Sequence, residues 1–139
     1  MKTKIVSKSV DLASKLFPER YKGRTRPQPF HYAFLFAKQK LVSIGQNVMD
    51  KESAKALAFA LRYNLATQRK YPFIHAEIDS ISRVWGKQYI DNNFTMVSLR
   101  ISKGLVLRNA KPCKNCKSVL DSLGVSVYYS DGSGKICVL

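Results

Sequence analysis

Residues 112–116 read Pro112-Cys113-Lys114-Asn115-Cys116, and upstream of them stands the tripeptide His75-Ala76-Glu77. Pro112 suits the first turn of a helix, where its missing N–H is not needed, and Gly124 is placed to close that helix. Cys113 and Cys116 then lie three apart on one helical face. They sit near the positive end of the helix dipole, where thiolates form readily. Pro72 breaks any helix before it, and a new one starts near His75, with Ile78, Ile81 and Trp85 on its buried side and Gly86 at its end. One imidazole and two thiolates make a borderline-soft donor set suited to Zn2+, one ion per chain. Three protein ligands leave the fourth tetrahedral position open for water, which marks a catalytic site and not a closed structural one. Glu77, two residues past the histidine, is read as the general acid/base beside that water and not as a ligand.

Working outward, Val6, Val10, Ala13 and Phe17 share one helical face with Leu12 and Leu16 beside them, which predicts a first helix ending before Pro18. Arg20 to Pro29 is a basic loop. Phe30 to Lys38 and Leu41 to Gly45 form a strand, turn, strand unit, and Asp50 caps a helix with an Ala54, Leu57, Ala58, Leu61, Leu65 stripe that runs to about Thr67. Phe94 to Ile101 alternates apolar and polar residues as a strand does. Lys103 and Gly104 make a turn, and Leu105 to Leu107 a short extension. Val125 to Tyr129, the turn at Asp131 and Gly132, and Lys135 to Val138 form a terminal hairpin. Strand pairs alternating with helices predict a single domain, residues 1–139, built as a three-layer α/β/α sandwich around a five-stranded mixed sheet with the last two strands antiparallel. Residues 1–29 supply the first helix and the basic loop, and residues 30–139 the core.

The 139 residues carry 24 lysines and arginines against 9 acids, a formal charge of +15, with 45% hydrophobic residues. That apolar content is enough for a core and excludes disorder throughout. The charge is spread along the chain and points to a polyanionic partner, because phosphates bind lysine and arginine and release counterions. No apolar run exceeds six residues and the N-terminus has no hydrophobic centre, so no membrane partner is expected and an intracellular, cytoplasmic protein is read. Cys113, Cys116 and Cys137 are too few for a disulfide framework and are read as reduced. Cys137 is read as a small buried hydrophobe, Tyr128 and Tyr129 as half core and half surface, and His31 as a structural residue.

H-x-E followed by P-C-x-x-C resembles the signature of the cytidine deaminase superfamily, over about Phe30 to the C-terminus. The resemblance implies hydrolytic deamination of cytosine to uracil: a water activated at zinc adds to C4, and Glu77 delivers protons to N3 and to the departing ammonia. It implies that Ala76 binds the cytosine carbonyl through its backbone N–H. Asn47, in Gly45-Gln46-Asn47, would contact the sugar, and Phe30, at the start of the first strand, would lie against the base. Enzymes acting on free nucleosides continue with a glutamate where this chain has Met49, which turns the reading toward cytosine in single-stranded DNA or RNA. Arg24 and Arg26 of the basic loop, with Arg108, Lys111 and Lys114 near the cysteines, would track the phosphates. The alternative is a free cytidine-type nucleotide such as dCMP or CMP, or a nucleoside, favoured by the terminal hairpin, since polynucleotide deaminases usually place a helix between the last two strands. Adenine in place of cytosine uses the same zinc chemistry and remains a third option, and a scaffold that binds without turnover a fourth.

Overall fold

The structure, a computed structural model, describes residues 2–21, 30–46, 75–102 and 104–139. Asn47, the basic loop with Arg24 and Arg26, and the helix expected over residues 50–67 lie outside the described residues. The elements in order are α1 (Lys2–Tyr21), β1 (Phe30–Ala37), β2 (Lys40–Gln46), α2 (Ala76–Val84), β3 (Phe94–Ser102), β4 (Val106–Arg108), α3 (Lys114–Leu123), β5 (Ser126–Ser130) and β6 (Ile136–Val138).

One mixed sheet runs β2-β1-β3-β5-β6, with β4 attached to β3. β1 is antiparallel to both β2 and β3, β3 is parallel to β5, and β5 is antiparallel to β6. The parallel pair requires a crossover, which α3 supplies. The terminal hairpin turns on Asp131, whose Oδ1 accepts from the Ser133 amide at 2.8 Å, the Ser133 hydroxyl at 2.7 Å and the Lys135 amide at 3.0 Å.

Alternation along β1 sorts its side chains between two cores. Phe30, Tyr32, Phe34 and Phe36 pack with Ile5, Ala13 and Phe17 of α1, together with Val97, Leu99 and Ile101 of β3. Ala33 and Leu35 face the other way, onto Ala76, Ile78 and Ile81 of α2 and Cys116, Val119 and Leu120 of α3. The result is the three-layer α/β/α sandwich, with α1 on one face and both motif-bearing helices on the other.

Two boundaries differ from expectation. α1 continues through Pro18 to Tyr21, because a proline removes one backbone donor while the hydrogen bonds around it can persist. Beyond the five-strand path the sheet carries β4 as a short sixth strand, pairing Arg108 with Arg100 and Val106 with Ser102. Cys137 is half-buried and its thiol points to Asp131 Oδ2 at 3.6 Å, and so is less enclosed than the sequence implies.

Candidate active site

His75 is the residue before the first turn of α2, in extended conformation, and Cys113 holds the same position on α3. Helix openings leave backbone N–H groups without intrahelical partners, and the Cys113 sulfur accepts one of them, the Cys116 amide, at 3.4 Å. Gly124 closes α3 in the left-handed conformation, at φ 77°. The two helix starts converge so that His75 Nδ1 lies 3.5 Å from Cys113 Sγ and 3.3 Å from Cys116 Sγ. All three donor atoms lie within 4.8 Å of one another.

Tetrahedral zinc with its usual bond lengths separates a nitrogen from a sulfur ligand by about 3.6 Å, so both nitrogen–sulfur distances suit the ion. The donor chemistry agrees. Hydrogen bonds from Cys116 and His75 hold the Cys113 thiol down to about 3, while Cys116, hydrogen-bonded to that thiolate and buried, is pushed up. The cluster thus keeps protons that a cation would displace.

β2 sets where α2 begins. A Cβ on Gly45 would overlap the Ala76 carbonyl oxygen and the Ser80 amide nitrogen, so only glycine lets the strand approach this closely. Ser43 Oγ donates to the Ser80 carbonyl at 2.9 Å, and buried Asp79 accepts from the Gln46 amide at 3.0 Å and from Arg83 Nε at 3.2 Å. These contacts fix the strand end that leads to Asn47.

Glu77 lies one helical position past Ala76, is 1% exposed, and its Oε1 has no hydrogen-bond partner. Desolvation raises its carboxyl to about 7, opposed by a hydrogen bond to its own backbone and by the positive potential of His75 and Arg100. A carboxyl that titrates near neutrality can both take and return a proton. His31 Nε2 stands 3.6 Å from Glu77 Oε1 and 2.6 Å from Ser98 Oγ.

The predicted residues divide clearly. His75, Cys113 and Cys116 come together, Ala76 is fully buried in the first turn of α2, and Glu77 is buried close enough to His75 and Cys113 to feel their charges. Phe30 does not join them. It faces α1, with its ring 5.2 Å edge-on from that of Phe17, and the residue of β1 that faces Glu77 is His31. One step along a strand exchanges faces, which is why His31 and not Phe30 meets Glu77. Arg108, Lys111 and Lys114 are exposed. Arg100, which the sequence reading passed over, pairs across the sheet with His31 on one side and Arg108 on the other, so three basic side chains form a row on the α2 and α3 face. Its Nε is buried without a partner, and none of Arg100, Arg108, Lys111 and Lys114 forms an ion pair among the described residues. An arginine at the same alternate positions as Met96 and Ser98, where the rest of the strand carries no charge, was the signal available.

Fold and site together define a three-layer α/β/α domain with a His-Cys-Cys metal-type centre between two helix starts. The fold is that of the cytidine deaminases. The structure is similar to the crystal structure of cytidine deaminase from Burkholderia pseudomallei, with 17% sequence identity, a TM-score of 0.52, and coverage of 81% of this chain and 75% of that one. No family model and no curated protein sequence matches the chain. Among the described residues no helix is long and apolar enough to cross a membrane.

Proposed function

We propose that the chain is a zinc-dependent hydrolase that converts cytosine to uracil, acting on single-stranded DNA or RNA. The observation that carries this reading is the convergence of His75, Cys113 and Cys116 at zinc-ligand spacing, with a buried, near-neutral carboxyl on the same helix as the histidine. Zinc held by these three residues would supply the Lewis acidity that activates water at neutral pH. Glu77 accepts the proton of that water, passes it to N3 of cytosine, and carries the next proton to the C4 amine. Ammonia leaves, and the oxygen of water remains as the C4 carbonyl of uracil. The Ala76 backbone, at the first turn of α2, holds the cytosine carbonyl, and Asn47 the sugar.

Polynucleotide substrate is supported by the Arg100–Arg108 pair together with Lys111 and Lys114, cations without acidic partners among the described residues. Like charges directly opposite in a sheet repel, and a phosphate between them removes the cost. Arg24 and Arg26 extend the same role. A free nucleotide such as dCMP or CMP is the second reading, favoured by the antiparallel β5–β6 hairpin.

A panel of cytidine, deoxycytidine, CMP, dCMP, single-stranded DNA and single-stranded RNA separates the two. Turnover of strands above monomers is expected. Activity confined to monomers would move the assignment to nucleotide metabolism, and turnover of adenine-containing strands alone would move it to adenine.

A further inference from the structure

We infer that His31 is a positioning residue for Glu77: a donor on the sheet that orients the general acid/base from behind, resting on the deaminase reading above. The hydrogen-bond pattern points to where its proton sits. Ser98 Oγ donates its single hydrogen to the Ala110 carbonyl at 3.1 Å, so in its 2.6 Å contact with His31 the serine oxygen accepts and His31 Nε2 is the donor. The same N–H, whose first acceptor is Ser98 Oγ, lies 3.6 Å from Glu77 Oε1, a buried oxygen that lacks a hydrogen-bond partner, so Glu77 is the second, longer acceptor of one shared hydrogen. Both side chains are almost fully enclosed, at 6% and 1% exposure. Water is therefore a poor substitute for the missing donor, and a closure of about 0.6 Å makes the bond. Such contacts are often long in the ligand-free state and tighten when substrate is bound.

The frame behind His31 is rigid. Its partner Ser98 is fully buried in the central strand β3, Ala110 is fastened to β5 through its amide on the Ser130 carbonyl at 2.8 Å, and Ala110 leads directly into the segment that carries Cys113. One chain of hydrogen bonds thus links the cysteine-bearing loop, the sheet and the carboxyl of α2. Outer partners of this kind change rates by about 10–100-fold when removed.

The chain has only two histidines, so ring-labelled 15N-histidine gives a spectrum of two residues, assigned by the disappearance of one set in His31→Gln. In the zinc-loaded full-length protein, His31 is expected to carry hydrogen on Nε2, and Glu77→Gln is expected to shift that nitrogen. Hydrogen on Nδ1 alone, or an Nε2 resonance unmoved by Glu77→Gln, overturns the inference. On a turned-over substrate, His31→Phe should lower kcat about 10–100-fold with KM within about twofold and zinc content unchanged. His31→Gln, which keeps an N–H donor, should recover part of the loss. His31→Phe at wild-type kcat overturns the inference as well. A wild-type protein that turns over no substrate defeats the deaminase reading, while the 15N spectra still decide the link between His31 and Glu77.

Discussion

The chemistry of the site depends on hydrogen bonds and burial acting on neighbouring groups: the hydrogen bonds of Cys116 and His75 on Cys113, burial on Glu77. Cys113 is exposed and at a helix start, and its thiolate is stabilised. Glu77, buried beside His75 and Cys113, is desolvated until its carboxyl titrates at about 7. Cys113→Ala should reduce bound zinc from near one ion per chain to a small fraction of that, measured by elemental analysis, because two remaining ligands hold the ion poorly. The raised carboxyl also has a consequence for stability. In metal-free protein the folded state keeps a proton on Glu77 between 4.5 and about 7 that the unfolded chain has released. This contribution is fully present below 4.5 and is lost as pH rises through 7, at a cost on the order of 3 kcal/mol. Glu77→Gln, which cannot ionise, should unfold at a higher urea concentration than wild type at about pH 8 and at a similar one at about pH 4.5. A metal-free wild type that gains on the variant as pH rises would contradict the burial argument. At this scale the ligands and Glu77 were legible because H-x-E and P-C-x-x-C are local patterns. His31 was not, since its meaning depends on Ser98, 67 residues away, being brought diagonally across from it by the β1–β3 register.

At the scale of elements, the site is a meeting of two helix starts held by one strand. Gly45 allows β2 to touch α2 at Ala76 and Ser80, and Asp79 ties the Gln46 amide to the same helix. Gly45→Ala should cost about 1–3 kcal/mol in chemical denaturation, as overpacking does, and should weaken zinc binding through displacement of His75. A variant with unchanged stability and zinc affinity would show that the contact does not position the helix. The helices around both motifs, the alternating strand at Phe94, and the terminal hairpin could be read from periodicity and turn residues. Phe30 could not be placed correctly that way. The run Phe30 to Phe36 is apolar on both faces with His31 inside it, so the sequence shows a buried strand without saying which face meets α1. Pro18 misled for a related reason, because a proline limits one hydrogen bond and does not by itself end a helix.

For the whole molecule, part of the charge of +15 lies near the site. Arg100, Arg108, Lys111 and Lys114 lie on β3, β4 and the approach to Cys113, while Lys15, Arg83 and Lys117 are each tied to an aspartate one helical turn away. If the first four contact phosphates, single-strand binding should weaken about 50-fold between about 50 and about 200 mM salt, read by fluorescence anisotropy. Arg100→Ala should flatten that slope by about one contact, and a flat salt response would remove the polynucleotide substrate. The proposed function comes down to one reaction at one carboxyl. Its most direct test is the appearance of uracil and ammonia when the zinc-loaded protein meets a cytosine-containing single strand and dCMP, run beside Glu77→Gln with matched zinc content. The expected result is one ammonia per uracil formed, faster on the strand, and a loss of about 10²–10⁴-fold in the variant. No uracil from either substrate, or undiminished turnover in Glu77→Gln, would contradict it.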